Sequence, residues 1–240
     1  MQLDIKNYFS DMNVIEKNDH FLIKARYGPS EYVKIDKNLT PDLFCFVGII
    51  LGDGHLHKIR KRVKIDLIDK NLLEKIQNLV LYLFNKKARI FKRVDKRKNR
   101  NILFHMTINS KAIYVLLNKL FEVPIGKKSN IIQVPQIVKN SSKYIKKSFI
   151  VGVMASDGGK RGKNLAGLST ASEKFRDDLS IILDEIGIKN NKDQWINKRY
   201  KKMYFGLKFK RDNLDELREC QSGQMGQILN SFLKKVEVKA

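Results

Sequence analysis

The sequence predicts an α+β protein built as two pseudo-symmetric halves, each in the order αββαββα. Three observations predict it. The stretch "FVGIILGDG" at 46–54 returns in register as "IVGVMASDG" at 150–158, about a hundred residues later. The segments that follow each copy run in the same order of strand-like and helix-like patterns, the signature of an internal repeat. Each copy also closes an apolar run in which small residues sit four apart, at one helical turn.

The elements follow in order. Thr40 and Pro41 open the first motif helix, a hydroxyl N-cap and then proline at the first helical position. Glycine inside a helix costs about 1 kcal/mol relative to alanine. Gly48 and Gly52 therefore need a compensating contact, and their shared face is flat enough for another helix. Gly152 and Ser156 repeat that face, so the two motif helices are predicted to pack on each other at the central interface. After the first copy, "HLHKIR" and "RVKIDLI" read as strands. The helix "DKNLLEKIQNLVLYLFNKK" follows, with Leu72, Leu73, Ile76, Leu79, Val80 and Leu83 at helical spacing. "ARIFKRV" and "NILFHMTIN" alternate around the basic turn "DKRKNR", and "SKAIYVLLNKLF" closes the half. After the second copy come "LAGLSTA", the helix "SEKFRDDLSIILDEIGI" with Gly187 as C-cap, the pair "DQWINKRY" and "MYFGLKFK", and the helix "DNLDELREC" with its continuation. This divides the chain into a first half at 40–121, a linker at 122–143 of Pro, Gly, Ser and Lys composition, and a second half at 144–240. Residues 1–39 lie outside the repeat. There "HFLIKARYG" and "EYVKID", around Gly28-Pro29, predict a hairpin.

Composition bounds the function. Of 240 residues 42% are hydrophobic, enough for a core and against wholesale disorder. Lys and Arg number 48 against 25 acids, a net charge of +23. Such an excess implies a polyanionic partner. Nucleic acid ranks above an anionic membrane surface, because no basic helix has a clean apolar face. Cys45 and Cys220 form neither a disulfide framework nor a CxxC zinc pair, which fits a reducing, cytoplasmic setting. The N-terminus has no apolar core of signal-peptide length, and no apolar run is long enough to cross a bilayer. His20, His55, His57 and His105 lack metal-ligand spacing.

Asp53 and Asp157 carry the chemistry. A lone "GDG" is a common helix end; its duplication in register sets this pair apart. If the motif helices pack together, the two acids at their ends converge. Two close carboxylates repel and resist ionisation. A divalent cation relieves that, and oxygen ligands beside phosphate suit Mg²⁺. A metal centre beside a basic surface suggests phosphodiester hydrolysis.

With these residues in view, the two motifs resemble those of a single-chain LAGLIDADG homing endonuclease of the archaeal intron or intein type. The resemblance covers about residues 40–240. It implies two halves, each with a four-stranded antiparallel sheet, which together form a saddle along duplex DNA. It implies a monomer that hydrolyses both strands of a long, near-unique target and leaves 3′ overhangs. The metal site carries over to Asp53 and Asp157, with Gly52 and Ser156 before them, and two or more Mg²⁺ or Mn²⁺ ions at the centre. Lys128 in the linker, and alternatively Lys160, stand where a basic catalytic helper is expected. The chain departs from the family pattern at Leu51 and Ala155, where an acid is frequent. It departs again at Leu67 and Ile68, where a polar residue often organises water. A noncatalytic binder on the same scaffold, an RNA maturase or a regulator, is the alternative.

DNA contacts are expected from the strand faces and basic turns: Arg60, Arg62, Lys64, Arg89 and Arg93; then Lys96, Arg97, Lys98 and Arg100. In the second half they are Lys198, Tyr200, Lys202, Tyr204, Lys208 and Lys210. Turn residues would grip phosphates and strand residues would read bases.

Overall fold

A computed structural model describes residues 6–93, 102–198 and 201–237. Before the repeat, β1 (Met12–Glu16), β2 (His20–Ala25) and β3 (Val33–Asp36) form an antiparallel meander. β2 and β3 are the hairpin expected around Gly28. β1 is an additional strand that the pattern concealed: it is five residues long and its Ile15 is exposed.

In the first half, α1 (Pro41–Gly52) starts at Thr40, whose hydroxyl accepts the Leu43 N–H at 3.3 Å. Every residue from Leu43 to Leu51 is buried, as befits a helix apolar all round. β4 (Gly54–His57) and β5 (Arg62–Leu67) follow, then α2 (Lys70–Phe84), β6 (Arg89–Arg93) and β7 (Leu103–Ile108). The half closes with α3 (Lys111–Val115), which widens into a π-turn at Leu116–Leu120. The linker holds α4 (Gln136–Lys139).

The second half repeats the order: α5 (Lys143–Asp157), β8 (Gly158–Gly162), β9 (Leu165–Thr170), α6 (Glu173–Glu185), β10 (Asn190–Asn197) and β11 (Lys202–Lys210). Gly187, just past α6, has φ +94°, the left-handed conformation of a helix C-terminal glycine. Arg211–Cys220, expected as α-helix, is a 3₁₀ helix. Its buried residues Leu214, Leu217 and Cys220 recur every third position, the period of that tighter helix. α7 (Gly223–Glu237) ends the described chain.

The two sheets are antiparallel and equivalent in order, β4-β5-β7-β6 and β8-β9-β11-β10. The linker is tied to both. Ile125 bridges to Leu56 on β4, and the Gly126 N–H donates to the Leu56 carbonyl at 3.0 Å. Further on, the Val134 N–H donates to the buried Asp178 carboxylate at 3.1 Å, and Ser172 Oγ donates to the Ile132 carbonyl at 2.6 Å. α7 crosses back to the first half. Lys75 on α2 donates to Ser231 Oγ at 2.7 Å and to the Gln227 carbonyl at 3.1 Å. The Met225 N–H donates to Asp42 on α1 at 3.1 Å.

Candidate active site and nucleic-acid interface

α1 and α5 cross backbone to backbone, at the small residues. A Cβ on Gly152 would lie 1.9 Å from the Cys45 carbonyl oxygen, and one on Gly48 would lie 2.3 Å from that of Phe149. Farther down, a Cβ on Gly52 would meet Ser156 Oγ at 2.1 Å and Asp157 Oδ2 at 3.2 Å. The crossing therefore delivers the Asp157 carboxylate to the end of α1, where Asp53 is the C-terminal cap.

Both acids are pushed above the ordinary carboxylate range, mainly by burial. Asp157 reaches about 7, with the Asp53 charge as the second cause. Asp53 is raised as well, while Lys128 and Lys235 act to lower it. These two lysines occupy equivalent posts. Lys128 donates to three carbonyls in the last turn of α1, those of Ile50 at 3.0 Å, Leu51, and Gly52 at 2.5 Å. Its three N–H donors are thereby all used. Burial draws its pKa down to about 8, against the pull of Asp157 and Asp53. Lys235 on α7 donates to the Ala155 carbonyl at 2.7 Å and so serves the end of α5; burial lowers its pKa too.

Among the described residues no group of three or more His, Cys, Asp or Glu side chains gathers. Asp53 and Asp157 are the two acids that meet at these helix ends, and they could hold a hard divalent cation that takes its other oxygens from backbone, water or phosphate. The raised pKa of Asp157 has a measurable consequence. Below about pH 4 folded and unfolded chains both carry its proton, so ionisation costs nothing; above about pH 7 the full cost opposes folding. Without metal, Asp157→Asn is expected to melt above the wild type at about pH 7.5, with the gap closing toward about pH 4. A wild type that melts higher at the upper pH would remove burial as the cause.

Strand register decides which side chains share a face. In the first sheet His55, Lys64, Thr107 and Arg89 align across the four strands, flanked by His57 with Arg62 and by Asp66, His105 and Phe91. The intervening row, with Ile65 and Met106, is buried. Arg62, Lys64, Arg89 and Arg93 thus share the face away from the core. Arg60 is exposed in the β4–β5 turn, where its N–H donates to His57 Nδ1 at 3.2 Å. In the second sheet Lys202 pairs with Asn197, Tyr204 with Trp195, and Lys208 with Asn191. Tyr204 and Trp195 stack, ring centroids 6.2 Å apart. Lys210 is exposed at the end of β11.

On β10, register puts Trp195 and Asn197 on the outward face, beside Tyr204 and Lys202. Lys198 is an exposed turn residue beyond the strand. Lys160 is exposed on β8, at an irregularity in its pairing with β9. The cations whose charge reaches Asp157 are Lys128, Arg161 and Lys235. Ser156 turns its hydroxyl back to the Gly152 and Val153 carbonyls at 3.1 and 3.0 Å, because its side chain packs against Gly52. Lys96, Arg97, Lys98, Arg100 and Tyr200 lie outside the described residues. Sequence reasoning missed Lys235 and Arg161. Arg161 stands next to the named Lys160, and the β-bulge displaces the alternation there.

These features define an internally duplicated α+β protein whose halves share one paired-carboxylate centre between two basic sheets. The profile described as LAGLIDADG-like domain matches residues 44–120 and again 145–220, and the chain belongs to that family. Its fold is that of the homing endonuclease I-WcaI bound to its DNA recognition sequence, at 17% identity and TM-score 0.56, over 83% of this chain and 87% of that one. It is also that of I-DmoI in complex with DNA and Ca, at 18% identity and TM-score 0.53, over 77% and 91%. A probable translation initiation factor IF-2 of Methanocaldococcus jannaschii is 25% identical over 97% of this chain but 22% of its own length. The small subunit of replication factor C from the same organism is 26% identical over 80% of this chain and 10% of its own. A component of the A-type ATP synthase of Pyrococcus horikoshii is 25% identical over 72% and 17%. The chain thus spans about a fifth or less of these curated relatives. Among the described residues no helix is long and apolar enough to cross a membrane.

Proposed function

We propose that the protein is a site-specific, metal-dependent endonuclease that, as a monomer, cleaves both strands of a long duplex target and leaves 3′ overhangs. The convergence of Asp53 and Asp157 at facing helix ends, between two basic sheet faces, carries the reading. Asp53 and Asp157 would hold Mg²⁺ or Mn²⁺, which supplies an activated water and stabilises the leaving oxygen. A cation held by both would sit between the two halves, where it could serve each strand in turn. Lys128 and Lys235 favour the ionised form of both acids and cap the helices that carry them. Arg161 adds positive charge on the phosphate side.

A related segment occurs in a translation initiation factor, a replication factor and an ATP synthase, whose functions have nothing in common. That distribution supports an inserted, mobile element of intron or intein type, so the activities of those host proteins do not extend to this chain. Selection against a randomised duplex library with Mg²⁺ is expected to recover one family of cut sites, with binding but no cutting in Ca²⁺. The noncatalytic reading is favoured by Leu67, which lies in the core, and by Ile68, which is exposed and apolar. It would stand if duplex were bound tightly and never cut.

A further inference from the structure

The N-terminal meander takes no part in the site above, yet it is firmly docked. Phe21, Ile23, Val33 and Ile35 are buried in the same core as the first half. Ion pairs Lys86–Glu31 and Lys111–Asp11, the latter at 2.5 Å, cross the junction. Docking leaves a cleft of about 580 Å³ between the meander and the first sheet. Lys24, Lys86, Lys87, Arg89 and Lys111 line it, against the carboxylate of Glu31. Lys86, and then the charge of Arg89, hold that carboxyl below its ordinary range. Glu31 and the Asp11 paired with Lys111 offset two of the five cations, which leaves an excess of three positive charges. Like charges gathered within one Debye length repel unless an anion joins them.

The cleft also has a direction. Arg89 and Thr107 belong both to it and to the outward row His55–Lys64–Thr107–Arg89 of the sheet. β6 is the edge strand, so a duplex that lies on the sheet and continues past that edge enters the cleft. Asn109 and Ser110 supply neutral hydrogen-bonding groups, and among the described residues no aromatic side chain lines the cleft for base stacking. We propose that this cleft grips the phosphate backbone of duplex DNA flanking the cleavage site, on the side of the first half. The proposal rests on the reading of the sheets as a DNA surface. Such contacts add affinity and register without sequence preference.

The test compares Lys24→Ala/Lys87→Ala with Lys143→Ala/Lys189→Ala, an equal loss of charge from exposed positions on α5 and after α6. Binding to one fixed duplex of about 40 base pairs is measured across salt concentrations. Each lost phosphate contact lowers the slope of log K against log salt by about 0.9, so the cleft variant should lose about 1.8 and the control nothing. Both variants should melt as the wild type does. A cleft variant with the wild-type slope, or a control that loses as much, overturns the proposal. If the wild type binds duplex steeply while the cleft variant matches it, only the cleft assignment falls. If the wild type binds no duplex, the DNA reading of the sheets falls with it.

Discussion

Asp53→Asn and Asp157→Asn will each lower double-strand cleavage by about 10³-fold or more while leaving duplex binding within a few-fold of wild type. The size follows from the loss of several kcal/mol of charge stabilisation at the reacting phosphate. Asn keeps the shape of the side chain, so the crossing of α1 and α5 should survive. It removes the negative charge that a hard cation needs and leaves one acid at a centre built for two. In Asp53→Asn, Asp157 loses a repulsive neighbour and should titrate lower, since the Asp53 charge is among the causes that raise it. Cleavage of supercoiled and linear target with increasing Mg²⁺ measures the first effect, and a band-shift assay in Ca²⁺ the second. Wild-type cutting by both variants would place the metal elsewhere.

Gly152→Ala is expected to be strongly destabilising, at about 3 kcal/mol, the upper end for overpacking. The added carbon would stand 1.9 Å from the Cys45 carbonyl oxygen, with Cys45 and Ile49 backbone atoms around it. Backbone cannot rotate away as a side-chain tip can, so the helices must part and every contact between them loosens. Gly48→Ala repeats the clash from the other helix, at 2.3 Å from the Phe149 carbonyl oxygen. Gly159→Ala is the control: among the described residues nothing lies within 4 Å of its Cβ position, and a change within about 0.5 kcal/mol is expected. Urea midpoints for the three variants decide it. A Gly152→Ala midpoint equal to that of Gly159→Ala would mean that α1 and α5 do not meet this closely in solution.

The features that local chemistry dictates were legible. Thr40 and Pro41 start α1 because a cap and a fixed φ act within one turn. Gly48 and Gly152 announced a close crossing because a helix rarely keeps glycine without one. Asp53 and Asp157 followed from the repeat. What stayed hidden depends on long-range register. Which face of β10 looks outward is set by its pairing with β11, and exposed strands with weak alternation do not show it. Lys235 was invisible for another reason. Its counterpart Lys128 reaches its post from an irregular linker, whereas Lys235 reaches it from a helix, so the posts correspond in space and not in sequence pattern.

α7 alters what counts as a separable half. By sequence it follows the second repeat, yet Lys75 and Asp42 of the first half hold it by hydrogen bonds to Ser231, Gln227 and Met225. A recombinant that joins the opening half of one relative to the closing half of another must therefore match two seams, α1 against α5 and α2 against α7. Repairing the glycine seam alone would leave the second mismatched, and Lys235 on that same helix would drift from the Ala155 carbonyl at the end of α5. An exchange of halves should therefore keep α7 together with the α2 that holds it.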